Sequence, residues 1–135
     1  MRRLVLGVDG WPPSKSEAAS LFAVEHPHAD RVGALLEAAA TALRNSRDWD
    51  PAETSPVALA LTLRVPEGTE PPSDATNYLG GVADVLQAQR TNVDLSHLGE
   101  LSEVALYAND SQLMEISFRI ERDASIGYEI SVSTS

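Results

Sequence analysis

The chain is 135 residues long with 43% apolar residues, enough for one domain with a real core, spanning residues 1–135. Ten basic against twenty acidic residues give a formal net charge of −10, a poor starting point for neutralising nucleic-acid phosphates, and the absence of cysteine excludes disulfides, thiolate zinc sites and a thiol nucleophile. The apolar run after Met1-Arg2-Arg3 is too short for a signal peptide or a membrane span, so the expected location is cytoplasmic with no membrane partner.

Leu4 to Val8 reads as a first strand, stopped by a turn at Asp9-Gly10. Pro12-Pro13 then forces extended chain before Lys15, which is either a solvated loop lysine or a phosphate contact. His26 and His28 flank Pro27. Without cysteine or a suitably spaced third histidine they read as loop residues rather than zinc ligands, and isolated His97 reads as structural or exposed. In Ala29 to Arg44 the residues Val32, Leu35, Leu36, Ala39 and Leu43 recur at helical spacing, with Asp30 and Arg44 suited to the two dipole ends.

Asn45 to Pro56 is a polar connection in which Trp49 is expected over the core edge or at a subunit contact. Val57 to Val65 alternates Val57, Leu59, Leu61, Leu63 and Val65 on one side, the pattern of a half-buried strand. A proline-rich loop from Pro66 to Ser73 leads to Ser73 or Asp74 as N-cap of a helix over Asn77 to Gln87. On that helix Asn77, Gly81 and Asp84 fall at i, i+4 and i+7, which puts the amide and the carboxylate on one face. As an N-cap, Asp74 would also be favoured by the helix dipole alone.

Arg90 to Val104 is a long connection in which Leu95, Leu98 and Leu101 suggest a short helical turn against the body. From Leu113 to Arg122, Met114, Ile116, Phe118 and Ile120 alternate with Glu115, Ser117, Arg119 and Glu121. Tyr128, Ile130 and Val132 repeat the pattern after a turn, so a terminal β-hairpin with one buried face is expected. Together these elements describe an α+β domain, a mixed sheet of about four strands with two main helices on it.

Asp74-Ala-Thr-Asn77, Asp84-Val-Leu86 and Asn109-Asp110-Ser-Gln112 resemble, in order, the signature of the RusA-like Holliday junction resolvases, which are magnesium-dependent endonucleases. That family reads D-x-D-N, a Lys three residues on, D-x-L and then D-D-x-Q. It opens with a strand and G-x-P-x-S-K-N, and Gly10-Trp-Pro12-Pro-Ser14-Lys15-Ser16 matches all but the last position. The resemblance runs from about Leu4 to Val132 in short motifs. It implies that Asp74, Asp84 and Asp110 converge to hold magnesium, with manganese as a substitute, and that Asn77 and Asn109 are secondary ligands or orient the acids. The resemblance favours Lys15 as a phosphate contact, and Arg119 is a second candidate by residue type, as part of a local basic strip with Arg2, Arg3 and Lys15. The resemblance further implies a homodimer acting on branched DNA in recombination or repair, with no small-molecule cofactor.

Thr76, Gly80 and Asn109 stand where the family has Asp, Lys and Asp, and if Asp74 is registered with the second acidic position instead, one acid and the lysine are still missing. A neutral oxygen holds magnesium less well than a carboxylate, and a lost lysine removes charge that would offset the transition state, so weakened activity is expected. The alternative is a catalytically inactive relative that keeps the fold and dimer as a binding or interaction module.

Overall fold

The structure, a computed structural model, describes residues 2–15, 29–88 and 96–134. Ser16, His26, His28 and Leu95 therefore lie outside the described residues. The elements in chain order are β1 (Arg2–Asp9), α1 (Ala29–Asn45), β2 (Val57–Val65), α2 (Ala75–Leu86), β3 (Leu113–Arg122) and β4 (Gly127–Thr134). Between α2 and β3 lie two short 3₁₀ segments, Ser96–Glu103, interrupted at Gly99, and Asp110–Gln112. This is the expected α+β class, a four-stranded mixed sheet with two main helices. Among the described residues no helix is long and apolar enough to cross a membrane.

The strand order is β1-β4-β2-β3, with β4 antiparallel to both β1 and β2, and β3 parallel to β2. The last two strands come where the sequence places them and run antiparallel to each other, but β2 lies between them, so they are not hydrogen-bonded partners. Two β-α-β crossovers explain this. The β2-α2-β3 crossover makes β3 a parallel neighbour on one side of β2, whereas β1-α1-β2 is a split unit that leaves a gap for β4. The turn between β3 and β4 consequently crosses the end of β2, where the Asp123 N–H donates to the Val65 carbonyl at 3.2 Å and the Asp123 carboxylate lies 3.6 Å from Arg64 Nε.

One face of the sheet is covered by the helices. Leu4, Leu6 and Val8 of β1, Val57 to Val65 at alternate positions of β2, and Tyr128, Ile130 and Val132 of β4 meet Val32, Leu35, Leu36 and Ala39 of α1 and Tyr78, Val82, Val85 and Leu86 of α2. Cross-strand register puts Leu59 beside Val132 and Leu61 beside Ile130, so each buried row continues across strands. Trp49 packs at the edge of this core and its Nε1–H donates to the Leu106 carbonyl at 2.7 Å, while Leu101 of the long connection also packs against it.

The expectation of a buried face on β3 is corrected. Ile116, Phe118 and Ile120 are directly opposite Leu59, Leu61 and Leu63, so they do point to the helix side. Yet Met114, Ile116 and Ile120 are 72%, 53% and 43% exposed, and only Phe118 and Leu113 are partly covered. The helices lie over β1, β4 and β2 and stop short of β3, where Phe118 stacks on Tyr78 of α2 with ring centroids 6.4 Å apart.

Candidate functional site

The start of α2 is built by a cap. Asp74 has extended backbone, φ −108° and ψ 171°, and its carboxylate accepts from the Asn77 N–H at 2.9 Å while its carbonyl accepts from Tyr78 at 3.0 Å. The carboxylate thereby answers one of the unpaired N–H groups of the first turn and sits at the positive end of the helix dipole. Asp84 is ten residues further on, roughly 15 Å along the axis at the helical rise. Asp74 therefore does not join Asp84, and Asn77 is exposed a turn beyond the cap.

The proline-containing segment that follows β1 is docked directly on α2. Gly10, at φ +93°, turns the chain and donates to the Ile126 carbonyl at 3.1 Å. Pro12, Pro13 and Ser14 are buried, and the Lys15 N–H donates to the Asn77 carbonyl at 3.0 Å. Gly81 makes this approach possible, because a Cβ there would stand 2.3 Å from the Pro13 carbonyl oxygen and 2.9 Å from Ser14 Cα. Beside it, the aliphatic stem of Lys15 crosses Gly80, and its ammonium ends 3.5 Å from the Asp84 carboxylate. The two sequence stretches that carry the resemblance thus meet in space.

Asp110 is brought to the other end of α2. Leu86 accepts from Leu106, Ala88 donates to Tyr107, and the Gln87 side-chain oxygen accepts from the Asp110 N–H at 3.1 Å. Asn109 caps the short turn that follows, accepting from the Ser111 N–H at 2.8 Å. Gln112 closes it: its carbonyl oxygen accepts from Ala108 and Asn109 at 3.0 Å, and its amide donates to the Glu53 and Ser55 carbonyls at 3.0 and 2.9 Å. With its own side chain buried and all four bonds made to partly buried backbone groups, Gln112 is a structural latch, and Asn109 orients the Asp110 turn from its cap position.

The Asp84 carboxyl is held above its ordinary range, chiefly by burial, with Lys15 opposing the shift and the negative charge of Asp110 adding to it. Tyr107 lies under the pair. It is buried, its hydroxyl donates to the Ala83 carbonyl at 2.6 Å, and burial together with the charges of Asp110 and Asp84 pushes its own ionisation far up. Asp84, Asp110 and Lys15 therefore form one electrostatic cluster. Arg119 is not part of it. Its neighbours Phe118 and Ile120 point to the helix side, so strand alternation turns Arg119 to the uncovered face, where it pairs with Glu121 at 2.8 Å.

Among the described residues, no group of three or more His, Asp and Glu side chains is placed to hold a metal ion. The three-carboxylate convergence implied by the resemblance is not found among the described residues, because Asp74 stands at the N-terminal cap of α2, away from Asp84 and Asp110. Gly81, Gln87 and Tyr107 position the cluster and were not singled out for this from the sequence. The Gly80-Gly81 pair inside a helix is the one signal of the three, since glycine there marks a close backbone approach. No protein-family model matches the chain, and no curated protein matches it.

Proposed function

We propose that this chain is a RusA-like, magnesium-dependent, structure-selective endodeoxyribonuclease with weak activity on branched DNA, working as a homodimer. Asp84 and Asp110 are the cation-holding pair and Lys15 is the phosphate contact. The observation that carries this reading is the docking of the Gly10–Lys15 segment on α2, which sets Lys15 against Asp84. Two carboxylates meet the minimum for a hard cation that keeps several of its waters and takes further oxygens from a phosphate. Magnesium, or manganese in its place, would supply the positive charge that positions a water against the phosphodiester.

The protein's own groups do the rest. Asp110 is exposed and open to solvent, whereas Asp84 is half-buried and must be ionised to contribute. Lys15 neutralises Asp84 at rest and, being on a flexible stem, can swing to a phosphate oxygen when a cation takes its place. Gln87 accepts from the Asp110 N–H and Asn109 from the Ser111 N–H beside it, so the second acid keeps its place relative to the first.

A second reading, a non-catalytic relative serving as a dimeric binding module, is favoured by one observation: Asp74 is committed to the helix cap and leaves the pair without a third acid. Manganese titration followed by NMR line broadening, beside cleavage of four-way junction and plain duplex, separates the two. The enzyme reading expects broadening centred on Asp84 and Asp110, and junction-selective cleavage abolished by Asp84→Asn or Asp110→Asn. Cation affinity should rise with pH through the raised Asp84 ionisation, because cation and proton compete for the same oxygens. Absence of both localised broadening and cleavage would leave the module. Cleavage that survives the double Asp84→Asn, Asp110→Asn variant would remove this pair from the chemistry.

A further inference from the structure

We infer that the β3 edge is a self-complementary docking surface and that its occupant is β3 of a second copy, paired antiparallel about Ser117. The inference rests on the homodimer of the proposed function and names its interface, and it is argued from β3 and not from the nuclease chemistry. Among the described residues, β3 is hydrogen-bonded to β2 on one side and to no strand on the other. It carries an apolar row, Ile116, Phe118 and Ile120, that the helices leave largely uncovered. An open edge with exposed apolar side chains is a template for another strand.

What identifies the occupant is the order of charges. The strand runs Glu115-Ile116-Ser117-Phe118-Arg119, and in an antiparallel pair centred on Ser117 each residue faces the one equally far on the other side. Glu115 then faces Arg119 of the second copy, and Arg119 faces Glu115 of the second copy. Ile116 faces Phe118 of the second copy, twice over. Both ion pairs lie on the uncovered face and both apolar pairs on the helix side, as the alternation of this strand requires. The same patch serves both copies, which is the condition for a closed two-fold dimer. The register shift between Val57 and Ala58 leaves Met114 as an extra residue opposite β2, so the regular ladder begins at Glu115 and the central five residues carry the pairing.

Such a dimer continues the sheet from four strands to eight and, because its two-fold axis is normal to the sheet, keeps the helices of both copies on one side. In this register Leu113 of one copy faces Glu121 of the other, eight residues from that copy's own Leu113. At the strand rise the two Leu113 residues are then about 26 Å apart along the strands, and the two Asp110 turns that precede them stand at opposite ends of that span.

The experiment uses the full chain. Sedimentation equilibrium across the micromolar range should show a reversible dimer. Glu115→Arg alone and Arg119→Glu alone each set two like-charge pairs face to face and should raise the dimer Kd about tenfold or more. The double variant restores both pairs with the signs exchanged and should recover most of the affinity. Arg119→Glu also loses the bridge to Glu121, so recovery in the double variant is the decisive readout. Because the chain has no cysteine, Ser117→Cys supplies a single thiol on the two-fold axis, and mild oxidation should give a covalent dimer. Thr62→Cys, on the same uncovered face of central strand β2, should not cross-link. A monomer at every concentration, a dimer indifferent to the charge reversals, or cross-linking at Thr62→Cys in place of Ser117→Cys would each overturn the inference.

Discussion

β2 and β3 carry the same kind of pattern and meet opposite fates. Each alternates apolar and mostly smaller or polar residues, and each is directly paired with the other in parallel register. On β2 the row Val57, Leu59, Leu61, Leu63 and Val65 is buried throughout, whereas the matching row of β3 leaves Ile116 and Ile120 largely in solvent. Period-2 alternation therefore states which way side chains point and not whether anything stands over them. Cover is a property of position in the sheet. β2 has a strand on either side and the helices above it, and β3 has β2 on one side.

The largest effect expected from this contrast is on stability. Leu61→Ala removes a buried side chain from the centre of the core and should destabilise by about 2–5 kcal/mol. Ile116→Ala, on a strand of equal apolar alternation, should cost no more than about 0.5–1 kcal/mol when measured at concentrations where the chain is monomeric. Urea unfolding of the two variants side by side checks it. Equal losses would mean that the β3 row is covered in solution and would break the comparison.

Much of the fold was legible because it follows from local chemistry. The spacing of Val32, Leu35, Leu36, Ala39 and Leu43 gives α1, the prolines and Asp74 give the start of α2, and the β2 alternation gives a central strand. The insertion of β4 between β1 and β2 was not legible, since the short turn at 123–126 points to direct hairpin pairing and only the two crossovers forbid it. In the candidate site, Asp84 and Asp110 come together through Gln87 and the Tyr107 backbone, contacts between segments far apart in sequence. Asp74 carried two sequence readings at once, ligand and cap, and its hydrogen bond to Asn77 shows the cap. Arg119 was placed by residue type alone, and strand alternation puts it on the other face.

If β3 is not held by its apolar row, something else must hold it, and Gln112 at its entry is that device alongside the ladder to β2. Gln112→Ala would strip partners from two backbone N–H groups and two carbonyls at once. These groups are only partly buried, so water recovers some of the loss and the expected cost is about 1–3 kcal/mol, still above that of Ile116→Ala. Gln112→Glu keeps the acceptor but sets a carboxylate against the Glu53 and Ser55 carbonyls, and should be at least as damaging at neutral pH. Faster amide exchange confined to residues 106–113 would accompany either change. A Gln112→Ala protein as stable as the parent would leave the ladder alone responsible for β3.

The smallest effect probes the covered half of the sheet, where one residue departs from the pattern. Tyr128 stands in register with Val8 and Leu63 and is fully buried, but its hydroxyl has no hydrogen-bond partner, and burial pushes its ionisation well above the ordinary tyrosine value of 10.0. A buried hydroxyl without a partner opposes folding, whereas the ring that carries it packs like its apolar neighbours. Tyr128→Phe should accordingly leave stability at neutral pH unchanged or raise it by about 0.5–1 kcal/mol, with an unchanged denaturant slope. The alkaline limb gives an independent sign. Because the folded value is raised, this tyrosine's contribution is intact below its unfolded value and is lost as pH climbs toward the folded one, so parent stability should fall above the ordinary tyrosine range. In Tyr128→Phe that fall should be shallower, the remainder coming from Tyr78 and Tyr107, whose ionisations burial raises in the same direction. A loss of more than about 1 kcal/mol at neutral pH would mean that the Tyr128 hydroxyl does find a partner in solution. The covered half of the sheet would then be satisfied throughout, and its contrast with the β3 edge would be sharper still.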